Sequence, residues 1–398
     1  MNWSERFAGR THNMKPSAIR EILKLTRRGS VISFAGGLPA PGLFPVERLK
    51  EAADTVLTER GAEALQYGPT EGYAPLREWV AGQLRVAGAG AVAADNVLIV
   101  SGSQQALDLL GKIFLDPGDR VLVAAPTYMG ALRAFDAYEP RYLSVPTDDE
   151  GMVPDALEAA LKERPKLAYV IPNFDNPTGV TLSLERRNLL TELAGHYGVP
   201  VIEDNPYGEL RFEGDALPHL VTLEPNVSYC GTFSKVMVPG FRLAWIVAPP
   251  EVITLLTRAK QAADLHTATF TQMIAHEVTK DGFMDAQVPR VRSYYQRQRD
   301  LMLRALGTYM PPEVRFTRPD GGMFLWGTLP DGLNATEIAY DAVKEDVAYV
   351  PGETFFTDGT GLNTLRLSYS VATPEEIDTG VKRLAQVFAG RLGYAGVR

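Results

Sequence analysis

The amino-acid sequence predicts an α/β protein with a mostly parallel β-sheet and a second, smaller α+β domain. From about residue 46 to residue 285, helical patterns alternate with short apolar runs that are bounded by turn residues. After about residue 286, a long charged helix leads to short strands and more helix. Apolar strands that alternate with helices are typical of parallel sheets covered on both faces. We therefore divide the chain into an arm (1–45), a large domain (46–286) and a small C-terminal domain (287–398), with the arm associated with the small domain.

The predicted strands lie at the apolar runs. Ligands of parallel sheets bind at the carboxyl ends of the strands, so the residues that directly follow each run are candidates for a functional site. The predicted strands are Val97–Val100, Arg120–Ala124, Leu167–Ile171, Val199–Glu203, Val227–Cys230 and Leu243–Val247 in the large domain, and Phe324–Trp326 and Leu365–Tyr369 in the small one.

Composition and charge restrict the class of protein. The chain has 398 residues, 45% hydrophobic and 22% charged, which is ordinary for a globular protein of two or three domains. Its formal net charge of −8, without a basic block, argues against nucleic acid and anionic membrane as partners. The single cysteine, Cys230, suits a reducing compartment, and the first residues lack the apolar run of a signal peptide. These features predict a soluble, cytoplasmic protein.

The arm contains one predicted helix and one irregular stretch. From Ser17, apolar residues fall on one face of a short helix, while Arg20, Lys24 and Arg27 lie together on another. The stretch F-A-G-G-L-P-A-P-G-L-F-P (34–45) is too rich in Gly and Pro to form regular structure.

The first candidate site follows the strand Val97–Val100. The sequence S-G-S-Q-Q (101–105) leads into an apolar helix, and a glycine turn before a helix directs free backbone N–H groups and the helix dipole at an anion. Ser103 and Gln104 are therefore candidates to hold a phosphate. The alternative is plain helix capping by Ser101 or Ser103.

A lysine follows the strand Val227–Cys230, in G-T-F-S-K-V-M-V-P-G-F-R (231–242). Lys235 lies beside the hydroxyl residues Thr232 and Ser234, with Arg242 seven residues later. Most isolated lysines are solvated surface charges. A lysine at the ligand end of a sheet is also suited to form a Schiff base while Thr232, Ser234 and Arg242 hold a phosphate.

Two further strand ends carry polar side chains. One strand ends in E-D-N-P-Y (203–207), where Asp204 and Tyr207 can share a pocket, and a carboxylate beside a cationic ring nitrogen stays ionised. Another is followed by N-P-T-G (176–179), in which Asn176-Pro177 is a candidate cis peptide bond. The alternative for both segments is a simple turn.

In combination, these segments resemble the class I/II aminotransferases, which are pyridoxal-phosphate (PLP) enzymes of fold type I. The resemblance spans most of the chain, in the order of the family's motifs. It implies a large PLP-binding domain built on a mostly parallel, seven-stranded sheet. The motifs that carry the resemblance are Y-G-P-T-E-G (67–72), S-G-S-Q-Q (101–105), P-T-Y (126–128), N-P-T-G (176–179), D-N-P-Y (204–207), S-K (234–235) with Arg242, and R-L-S-Y (366–369).

The resemblance implies catalytic roles at the strand ends. Lys235 would hold PLP covalently and then move the proton between the substrate α-carbon and the cofactor. Asp204 would pair with the protonated pyridine nitrogen, which keeps the ring an electron sink. Asn176 and Tyr207 would hydrogen-bond the phenolate oxygen of the ring, and Tyr128 would stack on the ring face.

The resemblance also implies residues that bind phosphate and substrate. Arg366 would bind the substrate α-carboxylate through a bidentate pair. Tyr67 would reach the phosphate of the neighbouring subunit, which implies a homodimer, and Tyr67 and Asn176 would border the substrate. The residues implied to hold the phosphate are Ser103, Gln104, Thr232, Ser234 and Arg242.

Within the family, the chain resembles the 2-aminoadipate aminotransferases of bacterial lysine biosynthesis (the LysN type), above all in S-A-I-R-E-I-L-K-L, F-A-G-G-L-P-A-P and A-D-L-H-T. In that group an arginine of the arm helix reads the distal carboxylate of the substrate, and Arg20 matches it. Ser17 and Gly37 match positions near the substrate. The alternative for Arg20 is a solvated basic face shared with Lys24 and Arg27. The implied donors are 2-aminoadipate, glutamate, and leucine or aromatic amino acids, with 2-oxoadipate or 2-oxoglutarate as acceptor.

Other functions remain open at this stage. The same scaffold serves broad branched-chain or aromatic aminotransferases and PLP-dependent β-lyases. It also occurs in regulators fused to a DNA-binding module, against which the net charge and the roughly 30 residues before the domain argue. The histidines show no metal-ligand spacing, so we expect no metal, and Cys230 is assigned to packing.

Overall fold

The computed structural model describes residues 1–13 and 31–393. The predicted arm helix, with Ser17 and Arg20, lies outside the described residues. The strands are β1 (Ile32–Ser33), β2 (Val97–Val100), β3 (Arg120–Ala125), β4 (Arg141–Asp148), β5 (Gly151–Met152), β6 (Leu167–Val170), β7 (Val201–Asp204), β8 (Val227–Thr232), β9 (Ala244–Val247), β10 (Arg315–Phe316), β11 (Phe324–Thr328), β12 (Val347–Ala348), β13 (Val350–Pro351) and β14 (Thr364–Ser368).

Helices connect most of these strands. The α-helices are α1 (Val46–Ala64), α2 (Ala74–Val86), α3 (Ser103–Phe114), α4 (Met129–Asp136), α5 (Pro154–Lys162), α6 (Leu184–Tyr197), α7 (Pro250–Asp264), α8 (Thr269–Thr279), α9 (Phe283–Tyr309), α10 (Ala335–Lys344) and α11 (Pro374–Arg391). Short 3-10 helices occur at Trp3–Glu5, Gly9–Asn13, Pro41–Leu43, Ala94–Asn96, Gly208–Leu210, Leu220–Thr222, Pro239–Phe241 and Gly352–Phe355.

The largest sheet has eight strands in the order β2-β9-β8-β7-β6-β3-β4-β5. The strands β4, β3, β6, β7 and β8 run parallel to their neighbours in that series, β9 is antiparallel to both β8 and β2, and β5 forms an antiparallel pair with β4. Every residue of β2, β6 and β7 is buried. Because successive side chains of a strand point to opposite faces, both faces of the sheet are covered. The predicted mostly parallel α/β sheet is confirmed.

The strand count differs from the seven that the resemblance implied, because the sheet has eight strands. All eight strands that the apolar runs predicted are present, with boundaries shifted by at most two residues. Neither β4 nor β5 was among them. The β4 sequence R-Y-L-S-V-P-T-D has a single buried position, Val145, so no apolar run marks it. The two residues of β5 are too few to show a pattern.

The smaller sheet is antiparallel, in the order β10-β11-β14-β13, and β1 pairs with β12 in parallel. The predicted long charged helix is α9, which continues through Pro289 from Phe283 to Tyr309. The predicted boundary at 286/287 therefore falls inside a continuous helix, and the division into domains stays a prediction. The stretch 34–45 is irregular as predicted, apart from the 3-10 turn at Pro41–Leu43.

Helix α3 is placed by its apolar side, where Ala106, Leu107 and Leu110 are buried in the core. The burial of an apolar stripe, rather than helix propensity alone, stabilises such a helix in a folded protein. This burial fixes the first turn of α3 beside the carboxyl end of β2, directly after Gly102.

The predicted cis peptide bond is at a different proline. The cis peptide bond of the described residues is Ala125-Pro126, not Asn176-Pro177. The cis and trans forms before proline differ by only about 0.5–1 kcal/mol, so tertiary contacts rather than the local sequence decide between them. Among the described residues, no helix is long and apolar enough to cross a membrane.

Candidate active site

The side chain of Lys235 lies just beyond the end of β8. Its Nζ donates to the Gly37 carbonyl oxygen over 3.1 Å and lies 5.9 Å from the centre of the Tyr207 ring. Burial, followed by the positive charges of Arg366 and Arg242, lowers the pKa of Lys235 to about 8. The neutral amine that a nucleophilic lysine requires is therefore much more populated near neutral pH than at an ordinary lysine.

Asp204, the last residue of β7, is buried between neighbouring strands. Tyr169 of β6 donates a hydrogen bond from its hydroxyl to Asp204 Oδ2 over 2.8 Å. The other oxygen, Oδ1, is buried and has no hydrogen-bond partner within residues 1–13 and 31–393. Burial raises the pKa of Asp204 to about 6, against the lowering effect of the Tyr169 hydrogen bond. The carboxylate is thus ionised at neutral pH with one oxygen unused.

Asn176, Tyr207 and Arg366 form a connected group between the two sheets. Arg366 of β14 donates from Nη1 to Asn176 Oδ1 over 2.6 Å. Asn176 Nδ2 in turn donates to the Tyr207 hydroxyl over 3.4 Å. All three side chains are at least nine-tenths buried. Burial raises the pKa of Tyr207 above its usual range, so its phenol stays protonated and able to donate.

Arg366 is held in a pocket of carbonyl and aromatic groups. Its Nη2 donates to the Ala35 carbonyl oxygen over 2.7 Å, and the guanidinium lies 4.3 Å from the centre of the Phe324 ring and 5.1 Å from that of Phe355. In the part of the chain that the structure describes, its buried Nε has no hydrogen-bond partner. Burial lowers the pKa of Arg366 to about 10, against the raising effects of Tyr207 and Tyr128. The guanidinium remains charged and has a donor left for an anion.

The loop between β2 and α3 lies against Arg242. Gly102 has φ +89°, and a Cβ on it would fall 2.3 Å from Arg242 Nη2. Ser103 is the first residue of α3, and Gln104 Nε2 donates to the Gly130 carbonyl oxygen over 2.9 Å. The first N–H groups of a helix have no intrahelical partner and favour an anion. The absence of a side chain at Gly102 thus lets the Arg242 guanidinium lie close to the start of α3.

Thr232 and Ser234 are joined in the turn that carries Lys235. Thr232 Oγ1 lies 2.9 Å from Ser234 Oγ and 2.9 Å from the Leu243 carbonyl oxygen, and it accepts from Ser234 N over 3.1 Å. The two hydroxyls are therefore in direct contact in the turn that precedes Lys235.

The other predicted site residues lie partly in the pocket, partly on the surface and partly outside the described residues. Tyr128 caps the start of α4, and burial, followed by the charge of Asp204, raises the pKa of its phenol. Gly37 accepts from Lys235, as given above. Tyr67 is 79% exposed and has an edge-on contact with His266, with the ring centroids 5.8 Å apart. Ser17 and Arg20 lie outside the described residues, so the predicted distal-carboxylate reader is not placed.

The sequence analysis missed several residues of this pocket. Tyr169 lies inside a predicted strand, and its pairing with Asp204 follows only from the adjacency of β6 and β7. The Ala35 carbonyl and the rings of Phe324 and Phe355 come from segments far apart in the chain. No local signal in the sequence linked them, because the pairing of β11 with β14, which brings Phe324 close to Arg366, is seen only in the structure.

Neither Cys230 nor a histidine contacts the pocket residues Lys235, Asp204 and Arg366 in the hydrogen bonds and ring contacts given above. Cys230 is buried in β8, and burial raises the pKa of its thiol, so it is not a thiolate nucleophile. Within residues 1–13 and 31–393, no group of three or more His, Cys, Asp and Glu side chains is placed to hold a metal ion.

The unused buried groups fit PLP. The free oxygen of Asp204 suits a protonated ring nitrogen, and the hydrogen-bonded Asn176 and Tyr207 suit a phenolate oxygen. The Arg242 guanidinium beside the first N–H groups of α3 suits a phosphate. These features, on the carboxyl ends of parallel strands, define a PLP enzyme of the α/β class.

The chain belongs to the class I and II aminotransferases, because the model of the family described as "Aminotransferase class I and II" matches residues 31–384. It is therefore a transaminase with PLP as its cofactor and amino acids and 2-oxo acids as its substrates. A 2-aminoadipate transaminase of Thermus thermophilus is 50% identical, over 98% of this chain and 98% of that protein. An aromatic-amino-acid aminotransferase of Thermococcus litoralis is 45% identical, over 97% of this chain and 94% of that protein.

A solved structure is also similar to this chain. It is that of the α-aminoadipate aminotransferase of Thermus thermophilus, in complex with N-(5'-phosphopyridoxyl)-L-leucine. The two sequences are 48% identical, and the superposition covers 99% of this chain and 100% of that chain with a TM-score of 0.93. The predicted family is thereby confirmed.

Proposed function

We propose that this aminotransferase moves an amino group between 2-aminoadipate or glutamate and a 2-oxo acid, in lysine biosynthesis. The observation that carries the proposal is the 50% sequence identity to a 2-aminoadipate transaminase, over 98% of this chain. The crystallised relative has leucine in its bound ligand, which supports leucine as a further donor.

The residues that would hold PLP are those with unused capacity in the pocket. Asp204 would pair with the ring nitrogen, Asn176 and Tyr207 would bind the phenolate oxygen, and Tyr128 would lie against the ring. Bound PLP supplies an electron sink for the electron pair left on the substrate α-carbon. The phosphate would be held by Ser103, Gln104, Thr232, Ser234 and Arg242.

Lys235 would serve as both the attachment point and the proton carrier. With its pKa lowered to about 8, Lys235 Nζ exchanges protons readily near neutral pH. Its contact with the Gly37 carbonyl oxygen over 3.1 Å shows which way the amine points. We assign to it the removal of the proton from the substrate α-carbon and its return.

Arg366 would bind and orient the α-carboxylate of the substrate. Its contacts with Ala35 and Asn176 and its aromatic neighbours fix the plane of the guanidinium. A fixed guanidinium loses little further freedom when it forms a bidentate pair with a carboxylate. Burial of the pocket also excludes water, which strengthens that pair.

Arg20, Ser17 and Gly37 would set the choice of side chain, with Arg20 as the reader of a distal carboxylate. We further propose a homodimer in which Tyr67, exposed in one protomer, reaches the phosphate of its partner. The single buried thiol of Cys230 supports a cytoplasmic location.

The test is a half-reaction titration. The PLP-loaded protein is mixed separately with L-2-aminoadipate, L-glutamate, L-leucine and L-alanine, and the absorbance of the cofactor is followed. We expect fast conversion to the pyridoxamine form with aminoadipate and glutamate, and slow conversion with alanine. No cofactor absorbance with the wild-type protein would overturn the assignment of Lys235 and with it the whole proposal.

A second candidate is an aromatic-amino-acid aminotransferase, which the 45% identity to such an enzyme favours. Faster conversion by phenylalanine or tyrosine than by aminoadipate would select it. Release of ammonia and a 2-oxo acid without an acceptor would instead identify a β-lyase.

A further inference from the structure

An ion pair between a buried lysine and a more exposed aspartate lies beside the predicted phosphate loop (101–104). Lys260 of α7 is fully buried, and its Nζ lies 2.6 Å and 2.8 Å from the two carboxylate oxygens of Asp264, one turn later in the same helix. Burial lowers the pKa of Lys260, and the hydrogen bond and charge of Asp264 act against that effect. Lysine is almost never fully buried unless it is paired, so the position calls for a physical reason.

The pair is connected to both ends of the phosphate loop. Asp264 Oδ2 accepts from Ser101 Oγ over 2.9 Å and from Gln105 Nε2 over 2.8 Å. Gln105 Oε1 accepts from Ser101 N over 2.7 Å and from Lys260 Nζ over 3.2 Å. The residues before and after Gly102–Gln104 are thereby tied to the same two charges.

The segment that follows Asp264 extends these contacts to Tyr67. Thr267 Oγ1 lies 3.1 Å from Ser101 Oγ. His266 Nε2 accepts from Gly68 N over 3.3 Å, and the His266 ring meets the Tyr67 ring edge-on. One short segment thus connects the phosphate loop of a protomer with the tyrosine proposed to reach the phosphate of its partner.

We infer that Lys260 and Asp264 are positioning residues for the cofactor phosphate. The pair fixes Ser101 and Gln105, and these two residues hold the first N–H groups of α3 in the direction of the phosphate. The ion pair is weak evidence for stability, since removing the Lys260 charge from water offsets much of its attraction to Asp264. Orientation of a loop, on the other hand, needs fixed partners of this kind. The inference rests on the proposed function, because it assumes that PLP binds at this loop.

The test compares PLP with pyridoxal, which lacks the phosphate. The affinities of the cofactor-free protein for both compounds are measured by absorbance titration in buffers without phosphate, for the wild type, Lys260→Met and Asp264→Asn. We expect the ratio of the pyridoxal Kd to the PLP Kd to fall about tenfold in both variants, the equivalent of losing one charge-assisted hydrogen bond to the phosphate. The kcat at saturating PLP should change little, because neither side chain touches the reacting atoms.

Controls separate this role from a general loss of structure. Lys162→Met removes an exposed lysine that pairs with Glu158 over 2.7 Å at the same spacing, and should leave the ratio unchanged. If Lys260→Met fails to fold, Ser101→Ala removes the hydroxyl that contacts Asp264 and Thr267 but leaves the ion pair in place, and should lower the ratio in the same direction by a smaller factor. Equal weakening of PLP and pyridoxal, or no change in the ratio, would overturn the inference. A wild type that binds neither compound would instead overturn the proposed function.

Discussion

Replacing Lys235 by methionine should stabilise the cofactor-free protein at neutral pH. Methionine keeps much of the length of the side chain and removes its charge. Burial and the neighbouring cations Arg366 and Arg242 lower the pKa of Lys235 from 10.5 to about 8. Keeping Lys235 protonated therefore costs free energy in the native protein, and it has no such cost in the unfolded chain.

The size and sign of the effect follow from the two pKa values. A difference between 10.5 and about 8 corresponds to about 3 kcal/mol, which partial exposure to solvent reduces to roughly 1–3 kcal/mol. Between pH 8 and 10.5 the unfolded chain binds a proton that the native protein has released, so the stability of the wild type rises with pH there. Below pH 8 both states are protonated and the full cost applies. Lys235→Met should exceed the wild type by that amount below pH 8, and the excess should vanish towards pH 10.5.

The assay is urea unfolding of the cofactor-free protein at several values between pH 6.5 and 10.5, in buffers without phosphate. The loss of the contact with the Gly37 carbonyl changes the offset between the two curves but not its dependence on pH. Lys50→Met, an exposed position on α1, serves as the control. A difference between Lys235→Met and the wild type that is constant with pH would refute the reasoning.

Three further substitutions test the pocket. Gly102→Ala places a Cβ at φ +89° and so close to Arg242 Nη2 that the guanidinium must move, and should weaken PLP binding by about tenfold or more in an absorbance titration. Unchanged affinity would show that phosphate binding does not depend on the position of Arg242 beside this loop. Arg366→Lys keeps a charge but loses the bidentate fork, so KM for the amino acid should rise by about tenfold or more with the cofactor absorbance unchanged. A KM equal to that of the wild type would show that Arg366 does not bind the carboxylate. Arg20→Ala should slow aminoadipate and glutamate much more than leucine in the half-reaction, and equal loss for both would show that Arg20 does not read the distal carboxylate.

Burial explains why most strands could be predicted and why β4 could not. A central parallel strand such as β6 has side chains buried on both faces, so its sequence is a continuous apolar run. β4 lies near the end of the sheet order and buries only Val145, so the alternation of its residues gives no such run. The residues at the end of a central strand, such as Asp204, are therefore predictable in position, because the strand itself is predictable.

The contacts among the site residues could not be predicted from the sequence, because they join residues that are far apart in the chain. The pair of Arg366 and Asn176 joins residues 190 positions apart, and that of Tyr169 and Asp204 depends on which strands are neighbours. Local periodicity contains no information on either. The spacing of Lys260 and Asp264 was visible in the sequence as an ordinary pair one helical turn apart. Only the structure shows that Lys260 is buried and that Asp264 accepts a hydrogen bond from Ser101 of the phosphate loop.

The charges of the pocket explain why the cofactor and the substrate are both anions. Lys235 lies near the guanidinium groups of Arg242 and Arg366, and both of them lower its pKa. Asp204 offsets part of this positive charge, but one of its oxygens is buried without a hydrogen-bond partner among the described residues. A phosphate at the Arg242 end and a carboxylate at the Arg366 end would each relieve repulsion, and a protonated ring nitrogen would satisfy Asp204. The charges of the pocket therefore favour PLP and amino-acid carboxylates over uncharged molecules of the same shape.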